Sequence, residues 1–121
     1  MARLRTAGVA LAIATLSLSG CGVGGAVTDA RHACVHIKAA LALETQSEAK
    51  GLSATVRNQF KTKALTELLK ATPLAAAATS ADGTWNPLQT TLQEANRVPL
   101  QYEAPALTRL CQIANSSTPI L

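Results

Sequence analysis

Apolar residues in this chain recur at helical rather than strand spacing. Val27, Ala30, Cys34, Ile37 and Leu41 fall on one helical face. Thr28 or Asp29 is placed to cap a helix running from there toward Lys50, with Gly51 as its stop. After Leu43 the stripe gives way to Glu44, Gln46 and Glu48, which predicts a less buried or frayed far end. A second helix is predicted from Ser53 to Ala71. Leu52, Val56, Phe60, Ala64 and Leu68 step by four, and Leu65 and Leu69 widen the face. Thr72-Pro73 is its expected end, because the residue before a proline is pushed out of helical geometry. The Ala-rich segment from Leu74 to Thr79 reads as another turn of helix or as a loop, and Ser80-Ala81-Asp82-Gly83 has turn chemistry.

Asn86-Pro87-Leu88-Gln89 reads as a third helix start: a capping Asn, a Pro at the first helical position, and a Gln closing a capping-box-like pair. Leu88, Leu92 and Ala95 mark its buried side, and Val98-Pro99 stops it. Pro105 is the expected opening of a last helix, with Leu107, Leu110, Cys111 and Ala114 on one face, and Asn115 to Leu121 reads as a loose tail. No stretch alternates convincingly as a strand, and no repeat period is present. The expected fold is all-α, a small bundle of about four helices with short connections.

Composition adds a constraint. Hydrophobic residues make up 48% of the chain but aromatic residues only 2%, and Phe60, Trp85 and Tyr102 are its only rings. A core of Ala and Leu buries little area per residue, so at roughly 25 cal/mol per Å² burial alone gives modest stability. The formal charge of +4 falls to +2 if a leader carrying Arg3 and Arg5 is removed (4 − 2). That is too little for a phosphate-binding patch, and the rings are too few to stack on bases, so nucleic acid is not an expected partner.

The first residues carry the most specific signal. Met1-Ala2-Arg3-Leu4-Arg5 is a short basic start, and Thr6 to Leu18 follows without a charge. A secretory signal peptide has this anatomy, with an apolar core of about 7–15 residues. A membrane-spanning helix needs about 20, so this stretch is too short to remain as a span. It ends in Leu18-Ser19-Gly20-Cys21, which resembles the bacterial lipobox. The resemblance covers residues 1–21 and implies a lipoprotein precursor. The Cys21 thiol would take a diacylglyceryl group, cleavage would fall between Gly20 and Cys21, and Cys21 would become the new N-terminus. Two buried chains hold a protein stably at a bilayer, at about 0.8 kcal/mol per CH₂.

The implied organisation is a signal peptide over 1–20, a lipidated cysteine with a Gly-rich tether over 21–27, a helical domain over 28–115 and a loose tail over 116–121. The implied location is the extracytoplasmic face of a cell membrane.

Lipidation of Cys21 would leave Cys34 and Cys111 of the three cysteines. In an oxidising compartment a Cys34–Cys111 disulfide is the natural pairing, clamping the first helix to the last. Two free buried thiols or ligands of a metal site are the alternatives, although the C-x₂-C spacing of zinc sites is missing.

Other candidate chemistry is sparse. His32 and His36 are one turn apart with Asp29 in the same sector, a set that could hold Zn²⁺ or Cu²⁺. The sector lies opposite Cys34 and Ile37 and should face solvent, where a solvated surface is the plainer reading. Lys50, Arg57, Lys61, Lys63 and Lys70 make the second helix basic, with Glu67 the only acid between Ser53 and Ala71. Such a face could attract anionic headgroups or serve solubility. Glu44 and Glu48 read as surface charges. Trp85 should cover one end of the bundle or, with Tyr102, anchor a partner.

No H-E-x-x-H, G-x-S-x-G elbow, P-loop or dinucleotide fingerprint occurs, so the chain does not read as an enzyme and no cofactor is expected. The sequence points to a membrane-tethered binding or scaffolding module with an envelope protein as partner. The alternatives are a metal-binding lipoprotein and a carrier of a hydrophobic ligand, the latter requiring an apolar cavity.

Overall fold

Two stripes of mostly small residues set the architecture. On the first helix the buried positions include Ala26, Ala30, Ala33, Ile37, Ala40, Glu44 and Ser47, alternating steps of four and three, with Val27 and Cys34 buried beside them. On the second they are Ala64, Leu68, Ala71, Ala75 and Ala78, in the same alternation. Steps of four and three average 3.5 residues per turn, the spacing that keeps two helices in register along a shared seam. Alanine at most of these positions permits the axes to approach toward the short end of the usual range of about 8–10 Å.

The computed structural model describes residues 23–117. Over these the chain is 87% helical with four α-helices and no strand. They are α1 (Val23–Ser47), α2 (Ala54–Ala81), α3 (Asn86–Ala95) and α4 (Leu100–Ser116), with a 3-10 turn at Gly83–Trp85. Helix α1 packs on α2 and α4, and α3 packs on α2 and α4. The all-α bundle clamped by one disulfide is therefore the fold. The leader, the Leu18-Ser19-Gly20-Cys21 motif and Gly22 lie outside the described residues, as do residues 118–121 of the expected tail.

The element boundaries differ from expectation in several places, each with a physical cause. Helix α1 begins at Val23 instead of at a cap on Thr28 or Asp29, so positions 23–27 of the expected tether are helical. Burial of Ala26 and Val27 outweighs the helix-propensity cost of Gly24 and Gly25, about 1 kcal/mol each. The far end of α1 does not fray: Glu44 is 9% exposed and Ser47 is fully buried, its hydroxyl donating to the Glu44 carbonyl at 2.6 Å. Gly51, at φ +83°, makes the reversal into α2, a conformation that glycine adopts without steric cost.

Ser53 caps α2 by accepting from the Val56 amide at 3.2 Å. The helix then runs through Pro73 to Ala81 and is not ended by Thr72-Pro73. Proline costs about 3 kcal/mol in a helix interior. Ala71, Ala75 and Ala78 on either side of it are buried, so stopping at Thr72 would leave half the seam of α1 uncovered. The expected stripe of α2 was also rotated. Ala64 and Leu68 are buried, but Val56, Leu65 and Leu69 are 36%, 47% and 62% exposed. A row stepping by four advances about 40° beyond each full turn and drifts off the contact line, whereas the alternation of four and three stays on it.

Helix α3 buries Leu88, Leu92 and Ala95 as expected, but its start is different. Asn86 is the first helical residue and no side chain caps it, so the Asn86–Gln89 box does not form. The preceding 3-10 turn prepares the start instead: the Asp82 carboxylate accepts from the Thr84 amide at 3.0 Å, and the Asp82 carbonyl accepts from the Trp85 amide at 3.1 Å. Helix α4 opens at Leu100, not at Pro105, because Leu100 is itself buried and anchors the first turn. Pro105 lies inside it, where it forfeits a single backbone bond. The helix includes Ser116, so the loose tail expected from 116 is shorter at its start than the sequence suggested.

Candidate functional site

The densest cluster of specific side-chain chemistry lies between α1 and α4. Arg31, Cys34 and Lys38 occupy one flank of α1, and α4 runs antiparallel to it, with Ala114 opposite Arg31 and Cys111 opposite Cys34. The Cys34–Cys111 disulfide has a Cα–Cα distance of 5.5 Å, well within the range for an unforced bridge. One turn away, the Arg31 guanidinium donates from Nε to the Ala114 carbonyl at 3.0 Å and from Nη2 to the Ser117 carbonyl. These are end-of-helix carbonyls without intrahelical donors, and a cation there also opposes the negative end of the helix dipole. Arg31 thus ties down the last turn of α4. Sequence reasoning missed it because an arginine on a helix carries no mark of a partner 83 residues away.

Beside the disulfide a cleft of about 300 Å³ opens at the surface. Ile37 and Leu41 give it an apolar wall, Lys38, Thr108, Gln112 and Asn115 a polar rim, and both cysteines line it. A second cleft of similar volume lies at the other end of α4, lined by Lys61, Leu65, Arg97 and Leu100 with Glu44 at its side. Glu44 is thus partly withdrawn from solvent, against the expectation of a surface charge, while Glu48 is exposed as expected. Both clefts pair an apolar wall with a charged or polar rim.

The histidine sector splits. His32 faces solvent and Asp29 is half-buried. His36 instead reaches α2, where its Nδ1 donates to Glu67 Oε2 at 2.8 Å. Lys70 donates to the other oxygen of the same carboxylate at 3.0 Å. The bond from His36, then that from Lys70, holds the Glu67 carboxyl below its ordinary value. An ionised carboxylate only accepts, so Nδ1 of His36 carries the proton in this pair. Among the described residues no three His, Cys, Asp or Glu side chains gather to hold a metal ion. Asp29, His32 and His36 are therefore not brought together as a ligand set.

Lys50, Arg57, Lys61, Lys63 and Lys70 are all exposed; Lys50 and Arg57 lie where α1 hands over to α2, and Lys61 and Lys63 follow two to three turns into α2. Trp85 is 6% exposed and covers the end near the start of α3, with its indole Nε1 buried and unpartnered. Tyr102, 69% exposed, stands apart from it in chain position and burial. Among the described residues no helix is long and apolar enough to cross a membrane.

The chain matches no family model, no curated protein and no solved structure.

Proposed function

We propose that this chain is a lipoprotein precursor whose helical domain is tethered through Cys21 at the extracytoplasmic face of a membrane, where it acts as a binding or scaffolding module. The observation that carries the reading is the order of the first residues: Arg3 and Arg5, an uncharged apolar stretch, then Leu18-Ser19-Gly20-Cys21. The Cys34–Cys111 disulfide supports it, because such bonds persist outside the reducing cytosol. With Cys34 and Cys111 joined to each other, Cys21 is left as the one cysteine free to carry lipid.

The start of α1 sharpens the picture. Val23 is helical and Cys21 is the proposed anchor, so only Gly22 separates them. One residue spans at most about 3.5 Å, so the domain would stand directly on the bilayer with no slack. With α1 upright on the bilayer, Arg57, Lys61 and Lys63 would lie toward the outer part of the bundle, away from headgroups of the same membrane. A rigid stalk presenting its far end is suited to holding a partner at a fixed height, and an envelope protein is the partner class we favour.

Mass spectrometry of the protein purified from membranes tests the anchor. The expected species begins at Cys21 and carries a diacylglyceryl adduct, and Cys21→Ser should leave the membrane fraction or retain its leader. An intact Met1 or an unmodified Cys21 thiol would refute the proposal.

A further inference from the structure

The disulfide is unevenly shielded. Cys34, on the inner stripe of α1, is 3% exposed, whereas Cys111 on α4 is only half-buried. Both line the 300 Å³ cleft, a volume at the small end of ligand sites, which span about 300–1,000 Å³. The walls are suited to a small polar molecule: Ile37 and Leu41 offer an apolar strip, and the exposed side chains of Thr108, Gln112 and Asn115 offer hydrogen bonds. Lys38 is the one charged side chain lining it, and it lies one helical turn beyond Cys34.

We infer that this cleft admits a small anionic thiol that exchanges with the disulfide at Cys111, making Cys111 a site of reversible thiol modification. The incoming thiolate attacks the Cys111 sulfur in line with the S–S bond, from the side opposite the Cys34 sulfur. A new bond forms between the two, the Cys34–Cys111 bond breaks, and its electron pair departs on the Cys34 sulfur, which takes a proton from water. The product is a mixed disulfide on Cys111 and a thiol at Cys34. The oxidation state of the sulfurs is conserved overall, so no further oxidant or reductant enters. The reverse attack by Cys34 expels the small thiol and restores the clamp. Lys38 serves twice, attracting the carboxylate of the entering molecule and stabilising the negative charge that develops on the departing Cys34 sulfur. The inference is independent of the lipid anchor.

The test uses the oxidised full chain in native buffer, exposed in turn to glutathione, neutral 2-mercaptoethanol and cationic cysteamine. Reactions are quenched by alkylation and the modified peptide is mapped by mass spectrometry. The expected adduct is on Cys111 with Cys34 alkylated. After correction for thiolate fraction, glutathione should outpace cysteamine, and Lys38→Glu should reverse that order, by about fivefold in each case, the scale of one screened ion pair. An adduct on Cys34 would overturn the inference. So would indifference to thiol charge, or a rate equal to that of global unfolding measured separately by a denaturant jump. Mapping on the unaltered chain decides the attacked sulfur even if a variant fails to fold.

Discussion

Breaking the Cys34–Cys111 bond is the perturbation with the largest expected effect on this domain. The bridge joins residues 77 apart in sequence, nearly the whole length of the bundle. Closing a loop of that size removes about 15 cal/mol/K of entropy from the unfolded chain, or about 4.5 kcal/mol at 25 °C, in the chain-entropy account. Domains of this size are stable by only about 5–15 kcal/mol, and this core is built largely from alanine, so the bridge should supply a large share. The comparison should be between oxidised and fully reduced wild-type protein, because both retain the two sulfurs and the packing around Cys34. A Cys34→Ala/Cys111→Ala variant would add a cavity term of its own. Urea unfolding followed by far-UV circular dichroism is the assay. With a slope on the order of 1–1.5 kcal/mol/M, the midpoint should fall by about 3–4.5 M on reduction, and the slope should rise as the unfolded chain expands. A shift below about 0.5 M would show that the α1–α4 contact holds the loop closed in the unfolded state too, and the entropic argument would fail.

Three further outcomes follow from the geometry. Replacing Ala75 by Leu, in the middle of the α1–α2 seam, should destabilise by about 1–3 kcal/mol through overpacking, whereas Leu69→Ala on the exposed face should stay within about 0.5 kcal/mol; equal effects in urea unfolding would show that the seam is misassigned. Arg31→Ala should cost about 1–2 kcal/mol and speed amide exchange in the last turn of α4, with Lys giving partial rescue, since it lacks the fork that reaches two carbonyls; unchanged exchange there would count against the cap. The Glu67 carboxyl is held below its ordinary value of 4.5 by His36 and Lys70, so the unfolded chain takes up its proton first as pH falls. The stability it contributes is complete above that value and is lost as pH drops through the lower folded-state one. Glu67→Gln should therefore flatten the acid limb of stability against pH below 4.5, and an unaltered limb would refute the pairing.

The fold class was legible because helix identity depends on periodicity, and alanine and leucine recur at helical spacing along the whole chain. The boundaries were harder to read because they are decided by packing partners that no local rule can see. Pro73 reads locally as a helix stop and Pro105 as a helix start, yet both lie inside helices, the first overridden by Ala75 and Ala78 beyond it and the second by Leu100 before it. The face of α2 was misread for a related reason. Leucine attracts attention as the most apolar residue, but in a seam set by alanine the bulky Leu65 and Leu69 do not fit and are turned outward. A search for alternating steps of four and three, indifferent to side-chain size, would have found Ala64, Leu68, Ala71, Ala75 and Ala78 directly.

The pairing of Cys34 with Cys111 could be reached by counting once Cys21 was set aside, because only one combination remained. The contacts of Arg31 and His36 could not, since each depends on the angle at which a second helix crosses the first. That difference bears on function. The histidine pair was open to a metal reading beside the plainer one of a solvated face; with α2 in place, the His36 nitrogen facing that helix is engaged with Glu67, and a further position open to chemistry is one where two helices leave a gap. The gap beside the disulfide is such a position, and it exists because the bridge holds α1 and α4 together at Cys34 and Cys111 while Leu41 and Thr108, one to two turns further on, do not fill the space between them. The clamp that joins α1 to α4 thereby also borders the cleft, with Cys34 buried and Cys111 half-buried along its wall.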